Sequence, residues 1–146
     1  MEKYDSLKLK NQLCFPLYAL SRKVTKLYKP LLEKYDLTYT QYITMLVIWE
    51  YEKISFKKLG QKLYLDSGTL SPVIKRLQNK KLIDKFRDPK DDRSILIELT
   101  EKGKEMKKEI VEVPSQMACQ ITGKHKTLIQ LKKNLDELLV ESEKWD

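Results

Sequence analysis

The spacing of apolar residues predicts a chain built mostly from helices. Six apolar residues between Leu13 and Leu31 alternate steps of four and three, which places them on one helical face. Pro16 interrupts this pattern, so the helix either starts near Cys14 or is kinked there. Further helices are predicted from Tyr42 to Trp49, from Lys57 to Leu63, from Leu70 to about Asn79, from Thr100 to Ile121 and from Leu128 to Leu138.

Three short segments between these helices have the composition of strands. They are Ile54–Phe56, Leu82–Phe86 and Ile95–Leu99, and the polar stretch Arg87–Arg93 predicts a turn between the last two. The element order is therefore helix, helix, strand, helix, helix, hairpin, helix, helix. That order predicts a winged helix-turn-helix with additional helices on both sides.

Two details of the helices can be checked directly. The second helix is predicted to bury one face that carries Tyr42, Met45, Leu46 and Trp49. The helix that Thr100 opens is predicted to run without a break to Ile121, with a kink at Pro114.

The organisation we expect is one mainly helical domain over residues 1–146. Residues 36–99 form the winged helix-turn-helix, and residues 1–35 and 100–146 form helical arms. The arms carry apolar stripes, and the middle module has no surface that covers them. They are therefore predicted to pack on each other or on a second subunit.

The positive charge of the chain is concentrated in its middle. The net charge is +8, and residues 53–93 contain 12 Lys or Arg against five Asp or Glu. A charge excess confined to one segment is typical of a surface that binds a polyanion such as DNA.

A helix that enters the major groove needs small polar residues at its leading end and cations further along. The residues predicted to do this are Ser67, Gly68, Thr69, Ser71, Lys75 and Arg76. The wing is predicted to reach an adjacent minor groove with its cations Arg87, Lys90 and Arg93. We expect Asp66 to cap the helix rather than read a base, and Asp91 to brace Arg93 through paired hydrogen bonds.

The two cysteines, Cys14 and Cys119, form no C-x-x-C pair and no metal-binding cluster. No apolar run near the N-terminus resembles a signal peptide, and none is long enough to span a bilayer. We therefore expect a cytoplasmic protein with reduced thiols, without a metal or other cofactor. From chemistry alone, Cys14 is either a small core residue or a reactive thiol.

Several motifs resemble the MarR family of transcription regulators. Leu65–Leu77 resembles the recognition helix of that family, Asp91–Ser94 its wing, and Leu99–Gly103 the start of its long dimerisation helix. Within the family, three further motifs resemble the OhrR branch of organic hydroperoxide sensors and the similar staphylococcal oxidation sensors. These motifs are Asn11–Phe15, Tyr28–Pro30 and Leu37–Tyr42, and the agreement extends from about Leu7 to Leu139.

The resemblance implies specific roles at the thiol site. Cys14 matches the peroxide-reactive cysteine, and Tyr28 and Tyr39 match two tyrosines that hydrogen-bond it from the first and second helices of opposite subunits. Pro16 departs from the family pattern. Cys119 resembles the resolving thiol of the two-cysteine type, which belongs to the other subunit; the alternative is a buried core cysteine between Met117 and Ile121.

The function that follows is a homodimeric repressor that binds an inverted-repeat operator in double-stranded DNA. Oxidation of Cys14 by an organic hydroperoxide or another oxidant would release the DNA. One alternative is a MarR-like repressor that a small non-oxidant ligand induces. A thiol peroxidase is disfavoured because the chain has no βαβ pattern and no C-x-x-C, so we expect no enzymatic activity.

Overall fold

The computed structural model describes residues 2–122 and 127–145. These residues form two compact units, one that ends at Val111 and one that begins at Glu112.

The first unit contains five helices and a small sheet, in the order that the sequence predicts. Short 3-10 turns precede the first helix at Asp5–Leu7 and Leu9–Asn11, and another follows it at Glu33–Tyr35. The helices are α1 (Cys14–Leu32), α2 (Tyr39–Tyr51), α3 (Phe56–Leu63), α4 (Ser67–Asn79) and α5 (Glu101–Ile110). The strands are β1 (Lys53–Ser55), β2 (Ile83–Asp88) and β3 (Asp91–Leu99).

The structure decides between the two expectations for Pro16, because α1 begins at Cys14. Pro16 is then the third helical residue. Backbone N–H groups in the first turn of a helix have no partner within the helix, so a proline there removes no hydrogen bond.

Helix α2 is the centre of the first unit and packs against α1, α3, α4, α5, β1 and β3. Its start is stabilised by a capping box in which the Thr38 hydroxyl accepts from Gln41 N and the Gln41 side chain accepts from Thr38 N, both at 3.2 Å. The predicted burial of Leu46 is wrong, since this side chain is exposed. Gln41, Thr44 and Ile48 are buried instead, because neighbours surround α2 on several sides rather than on one face.

The three strands form an antiparallel sheet in the order β1-β3-β2. Ile97 of β3 pairs with Ile54 of β1 and with Lys85 of β2. The predicted seven-residue turn is too long. Strands β2 and β3 extend to Asp88 and Asp91, so that only Pro89 and Lys90 remain in the turn, with an irregular register at Arg87 and Asp88.

The second unit consists of α6 (Val113–Thr122) and α7 (Leu128–Ser142). The expectation of one unbroken helix from Thr100 to Ile121 is wrong, since Val111 and Glu112 are not helical. Pro114 accounts for the break, because it has no N–H to donate to Ile110 O and its ring would clash with that carbonyl. In the part of the chain that the structure describes, no helix combines the length and the apolar character that crossing a membrane requires.

Gly103 lies where α5 passes close to Leu82 and to Leu99 at the end of β3. A Cβ at this position would meet the carbonyl oxygen of Leu82 and would lie 2.5 Å from Leu99 Cδ1. The Gly103 carbonyl also accepts a buried hydrogen bond of 2.9 Å from Trp49 Nε1. The absence of a side chain therefore lets α5 contact both the sheet and α2.

We predict that Gly103→Ala lowers the free energy of unfolding by about 1–3 kcal/mol, because the added methyl overlaps backbone that cannot move aside. Gly68→Ala is the matched control. A Cβ at Gly68 would meet only Asp66 Oδ1 at 3.5 Å, so the change should stay within about 0.5 kcal/mol. Urea titration of both variants is the measurement, and equal midpoints would contradict the packing described here.

Candidate DNA-reading surface and thiol site

Helix α4 separates its apolar and polar residues onto opposite faces. Leu70, Val73, Ile74 and Leu77 are buried against the rest of the first unit. Each polar residue that the sequence places on this helix is exposed: Ser67, Gly68, Thr69, Ser71, Lys75 and Arg76. The outer face of α4 is therefore free to enter a groove, with hydroxyls at its start and cations near its end.

The start of α4 is held in place by its cap. Asp66 Oδ1 accepts a hydrogen bond of 2.7 Å from Thr69 N, which confirms Asp66 as the N-cap. This bond keeps the pKa of the Asp66 carboxyl below its usual value. The turn before it passes through Tyr64 in the left-handed conformation, at φ 54°, which allows α4 to leave α3 at an angle.

The wing carries exposed cations at both of its edges. Arg87 lies on β2, Lys90 in the turn and Arg93 on β3, and all three are exposed. Asp91 Oδ1 accepts from Arg93 N at 3.1 Å and lies 3.5 Å from Arg93 Nε. The structure thus brings Asp91 and Arg93 together, while the Arg93 side chain remains 94% exposed.

Tyr28 and Tyr39 are neighbours in space. Their ring centroids are 4.7 Å apart, although Tyr28 lies on α1 and Tyr39 is the first residue of α2. Burial raises the pKa of both phenols, and for Tyr28 the proximity of Tyr39 raises it further. The hydroxyls therefore stay protonated at neutral pH, which keeps them able to donate hydrogen bonds.

Tyr42 is a third member of this tyrosine cluster, and it was not among the site residues predicted from the sequence. Its ring centroid lies 5.7 Å from that of Tyr28 and 6.5 Å from that of Tyr39. Burial and the two neighbouring phenols raise the pKa of Tyr42 to about 12. The three-residue spacing from Tyr39 was the available signal, because it places both rings on one side of α2.

Cys14 lies far from the tyrosines of its own chain. Cys14 and Tyr28 occupy the same helix, fourteen residues apart. At a rise of about 1.5 Å per residue, α1 separates them by about 21 Å. Tyr39 is in contact with Tyr28 and is thus equally remote, so a single chain does not bring the predicted thiol site together.

Both cysteines are exposed free thiols. Cys119 lies on α6, where Met117 is buried and Cys119 is not. Within its own chain, therefore, Cys119 is not a core residue. Among the described residues, no group of three or more His, Cys, Asp or Glu is arranged to hold a metal ion.

Helix α1 exposes the apolar stripe that its spacing predicts. Leu13, Leu17, Leu20 and Leu27 are between 40% and 79% exposed. Helix α7 exposes a comparable set, namely Ile129, Leu131, Leu138, Leu139 and Val140. Apolar faces of this extent mark surfaces that bind another protein.

An open cavity of about 630 Å³ lies between α1 and the start of α2. Its lining is rich in cations and hydroxyls. The residues that line it include Arg22, Lys26, Lys29, Thr38, Tyr39 and Lys80.

Comparison with known proteins places these features in a family. The profile of the family "Transcriptional regulator SarA/Rot" matches residues 26–110. The chain is 48% identical over 137 residues to the organic hydroperoxide resistance transcriptional regulator of Bacillus subtilis, a match that covers 94% of this chain and 93% of the relative.

Solved structures agree with this assignment. Reduced AbfR bound to DNA has a TM-score of 0.80 and 29% identity, over 96% of this chain and 98% of AbfR. Disulfide-formed AbfR has a TM-score of 0.64 and 30% identity, over 94% and 96% of the two chains. AbfR has also been solved in an overoxidised form bound to DNA, and it comes from Staphylococcus epidermidis.

MarR of Escherichia coli has the same fold, with a TM-score of 0.69 and 22% identity over 88% of this chain and 96% of MarR. The winged helix-turn-helix, the family profile and the identity to a full-length relative agree. The chain therefore belongs to the MarR-type transcriptional regulators and is OhrR-like.

Proposed function

We propose that this protein is a cytoplasmic, homodimeric repressor that releases its DNA operator when an organic hydroperoxide oxidises Cys14. The observation that carries the proposal is the position of α2. Tyr39 of the thiol site is the first residue of α2, and the same helix packs against the DNA-reading helix α4. A change at the thiol site therefore has a direct physical route to the DNA-reading surface.

The DNA-binding part of the proposal rests on the exposed face of α4 and the wing. In a dimer related by a two-fold axis, two such surfaces face successive grooves of one inverted repeat. The hydroxyls at the start of α4 contact base edges, while Lys75 and Arg76 contact phosphates. AbfR, which shares this fold, has been solved on DNA.

The dimer follows from the length of α1. Tyr28 lies about 21 Å along α1 from its own Cys14, and Tyr39 is in contact with Tyr28, so the cysteine that they bind comes from a second copy of the chain. The exposed apolar stripe on α1, which begins at Leu13 beside Cys14, supplies a surface on which that copy packs. One interface thus covers the apolar stripe and completes the thiol site.

The redox chemistry proceeds in two balanced steps. The Cys14 thiolate attacks one oxygen of the hydroperoxide, the O–O bond breaks, and the other oxygen takes a proton and leaves as an alcohol. The sulfur is thereby oxidised to a sulfenic acid. The thiol of Cys119 from the partner subunit then attacks that sulfur, water leaves, and a disulfide joins the two subunits.

A small-ligand inducer is the second candidate, and the cavity beside α1 favours it. Its cations Arg22, Lys26 and Lys29 suit an anionic molecule. This candidate predicts that a double Cys14→Ser, Cys119→Ser variant keeps its full induction response. Our proposal predicts that the double variant stays on DNA when peroxide is added.

Arg93→Ala is predicted to weaken operator binding by about 1–3 kcal/mol, because it removes a wing guanidinium from the minor groove. Lys75→Ala should weaken binding evenly across sequences and reduce the slope of log K against log salt by about one, because one phosphate contact is lost. Lys132→Ala on α7 is the control, since Lys132 pairs with Asp136 outside the winged helix. Salt titrations by fluorescence anisotropy are the measurement, and three unchanged affinities would show that the reading surface is misplaced.

Tyr28→Phe and Tyr39→Phe are each predicted to slow Cys14 alkylation at neutral pH. The reason is that losing a hydrogen-bond donor destabilises the thiolate, which is the reactive form of the cysteine. Tyr51→Phe is the control, because Tyr51 ends α2 and contacts Lys58 and Lys62 instead. Alkylation rates should be measured across pH in the Cys119→Ser background, so that only Cys14 reacts. Profiles that superimpose on the parent would exclude both phenols from the site.

Cumene hydroperoxide is predicted to convert the protein into a covalent dimer on a non-reducing gel, and dithiothreitol should reverse the conversion. Cys14→Ser should lose the dimer band and the DNA response, because no sulfenic acid forms. Cys119→Ser should lose the band yet still oxidise at Cys14, without a thiol to trap the product. If oxidised wild type runs only as a monomer while DNA is still released, Cys119 takes no part in the switch.

A further inference from the structure

Lys80 connects the end of the DNA-reading helix to the junction between α1 and α2. It is the C-cap residue of α4, and its ammonium donates hydrogen bonds to Asp36 O and, at 3.1 Å, to Gln41 Oε1. Asp36 Oδ2 lies 3.4 Å from the same nitrogen. One side chain therefore contacts both the backbone turn before α2 and the first turn of α2.

The oxygen that Lys80 contacts on α2 is the one that closes the capping box. Gln41 Oε1 also accepts from Thr38 N at 3.2 Å, and Gln41 is only 3% exposed. Tyr39, which contacts Tyr28, lies between these two capping residues. A displacement of Tyr39 thus moves the atoms on which the Lys80 contact depends.

The backbone of the same residue is held from the other side by the start of α5. Lys102 Nζ donates to Lys80 O at 2.8 Å, and Thr100 Oγ1 donates to Lys81 O at 2.7 Å. Lys81 adopts a left-handed conformation, at φ 62°. The end of α4 is therefore held on two sides. Its backbone carbonyls accept hydrogen bonds from the start of α5, and the Lys80 side chain donates to the start of α2.

We propose that Lys80 is a positioning residue that transmits the oxidation state of the thiol site to the DNA-reading helix. While Cys14 is reduced, Lys80 holds the end of α4 against the start of α2. When oxidation displaces Tyr39, the capping box shifts, and the Lys80 contact moves α4 with it. This inference rests on the proposed function, because it presupposes that oxidation of Cys14 releases DNA.

The removal of Lys80 should affect transmission far more than folding. Lys80→Met keeps the length of the chain but removes the charge and the donors. Gln41 Oε1 retains its bond from Thr38 N, and Asp36 is 91% exposed, so that water can replace the lost ion pair. The variant therefore leaves no buried polar group without a partner.

The test is a comparison of DNA affinity before and after cumene hydroperoxide in wild type, Lys80→Met, Lys80→Arg and Lys104→Met. Lys104→Met is the matched control, because Lys104 pairs with Glu101 within α5. The rate of Cys14 oxidation should be equal in all four proteins. In Lys80→Met, the ratio of oxidised to reduced Kd should fall about five-fold or more, while reduced affinity changes far less. Lys80→Arg keeps the donors and should restore most of the ratio.

The outcomes separate this inference from the proposed function. If wild type itself keeps its DNA after oxidation, the proposed function fails. If wild type releases DNA and Lys80→Met shows the same Kd ratio, Lys80 transmits nothing. A Lys80→Met protein that melts much earlier, or that no longer binds DNA when reduced, would also overturn the inference, because the contact would then maintain the fold or the DNA-bound shape. Failure of Lys80→Arg to restore the ratio would contradict the role of the hydrogen bonds.

Discussion

The length of helix α1 is the constraint on which the rest of the account depends. Cys14 and Tyr28 are fourteen residues apart on one continuous helix, which separates them by about 21 Å along its axis. In the proposed dimer, the phenols of one copy therefore meet the Cys14 thiol of the other copy. Sensing, dimer formation and the burial of the apolar stripe on α1 would then be one event, since each of them requires the same second copy.

Helix α2 explains how such a site can control DNA. It is buried on several sides, so that its first turn cannot shift without affecting what packs along its length. Apolar packing joins α2 to α4 in the core, and the part-buried Lys80 contact joins the end of α4 to the start of α2. The two heads of a dimer must face grooves about one helical turn apart, so a small rotation of α4 suffices to lose the operator.

The fold was largely predictable because helical periodicity and turn chemistry are local properties. The stripe on α1, the cap at Asp66 and the hairpin could each be inferred from a few neighbouring residues. The errors had two causes. Leu46 is exposed because distant elements decide which sides of α2 are covered. The wing turn is shorter than predicted because pairing between β2 and β3 continues into polar residues, which apolar patterning does not detect.

The residues of the candidate site also divide into those that a local motif identifies and those that it does not. The recognition helix and Cys14 were identified from local motifs and from resemblance. Tyr42 was missed although its three-residue spacing from Tyr39 was a local signal, and Lys80 was missed because its importance comes from contacts with residues far away in the sequence. Gln41, for example, is 39 positions from Lys80. A lysine in a basic segment carries no local signal that it holds two helices together.

The most direct test of the central claim is a gel shift on the DNA upstream of the protein's own gene, for wild type and Cys14→Ser, with and without cumene hydroperoxide. The account predicts that peroxide abolishes the wild-type complex, that dithiothreitol restores it, and that Cys14→Ser stays bound throughout. If peroxide leaves the wild-type complex intact, or if it releases wild type and Cys14→Ser equally, then Cys14 is not the switch.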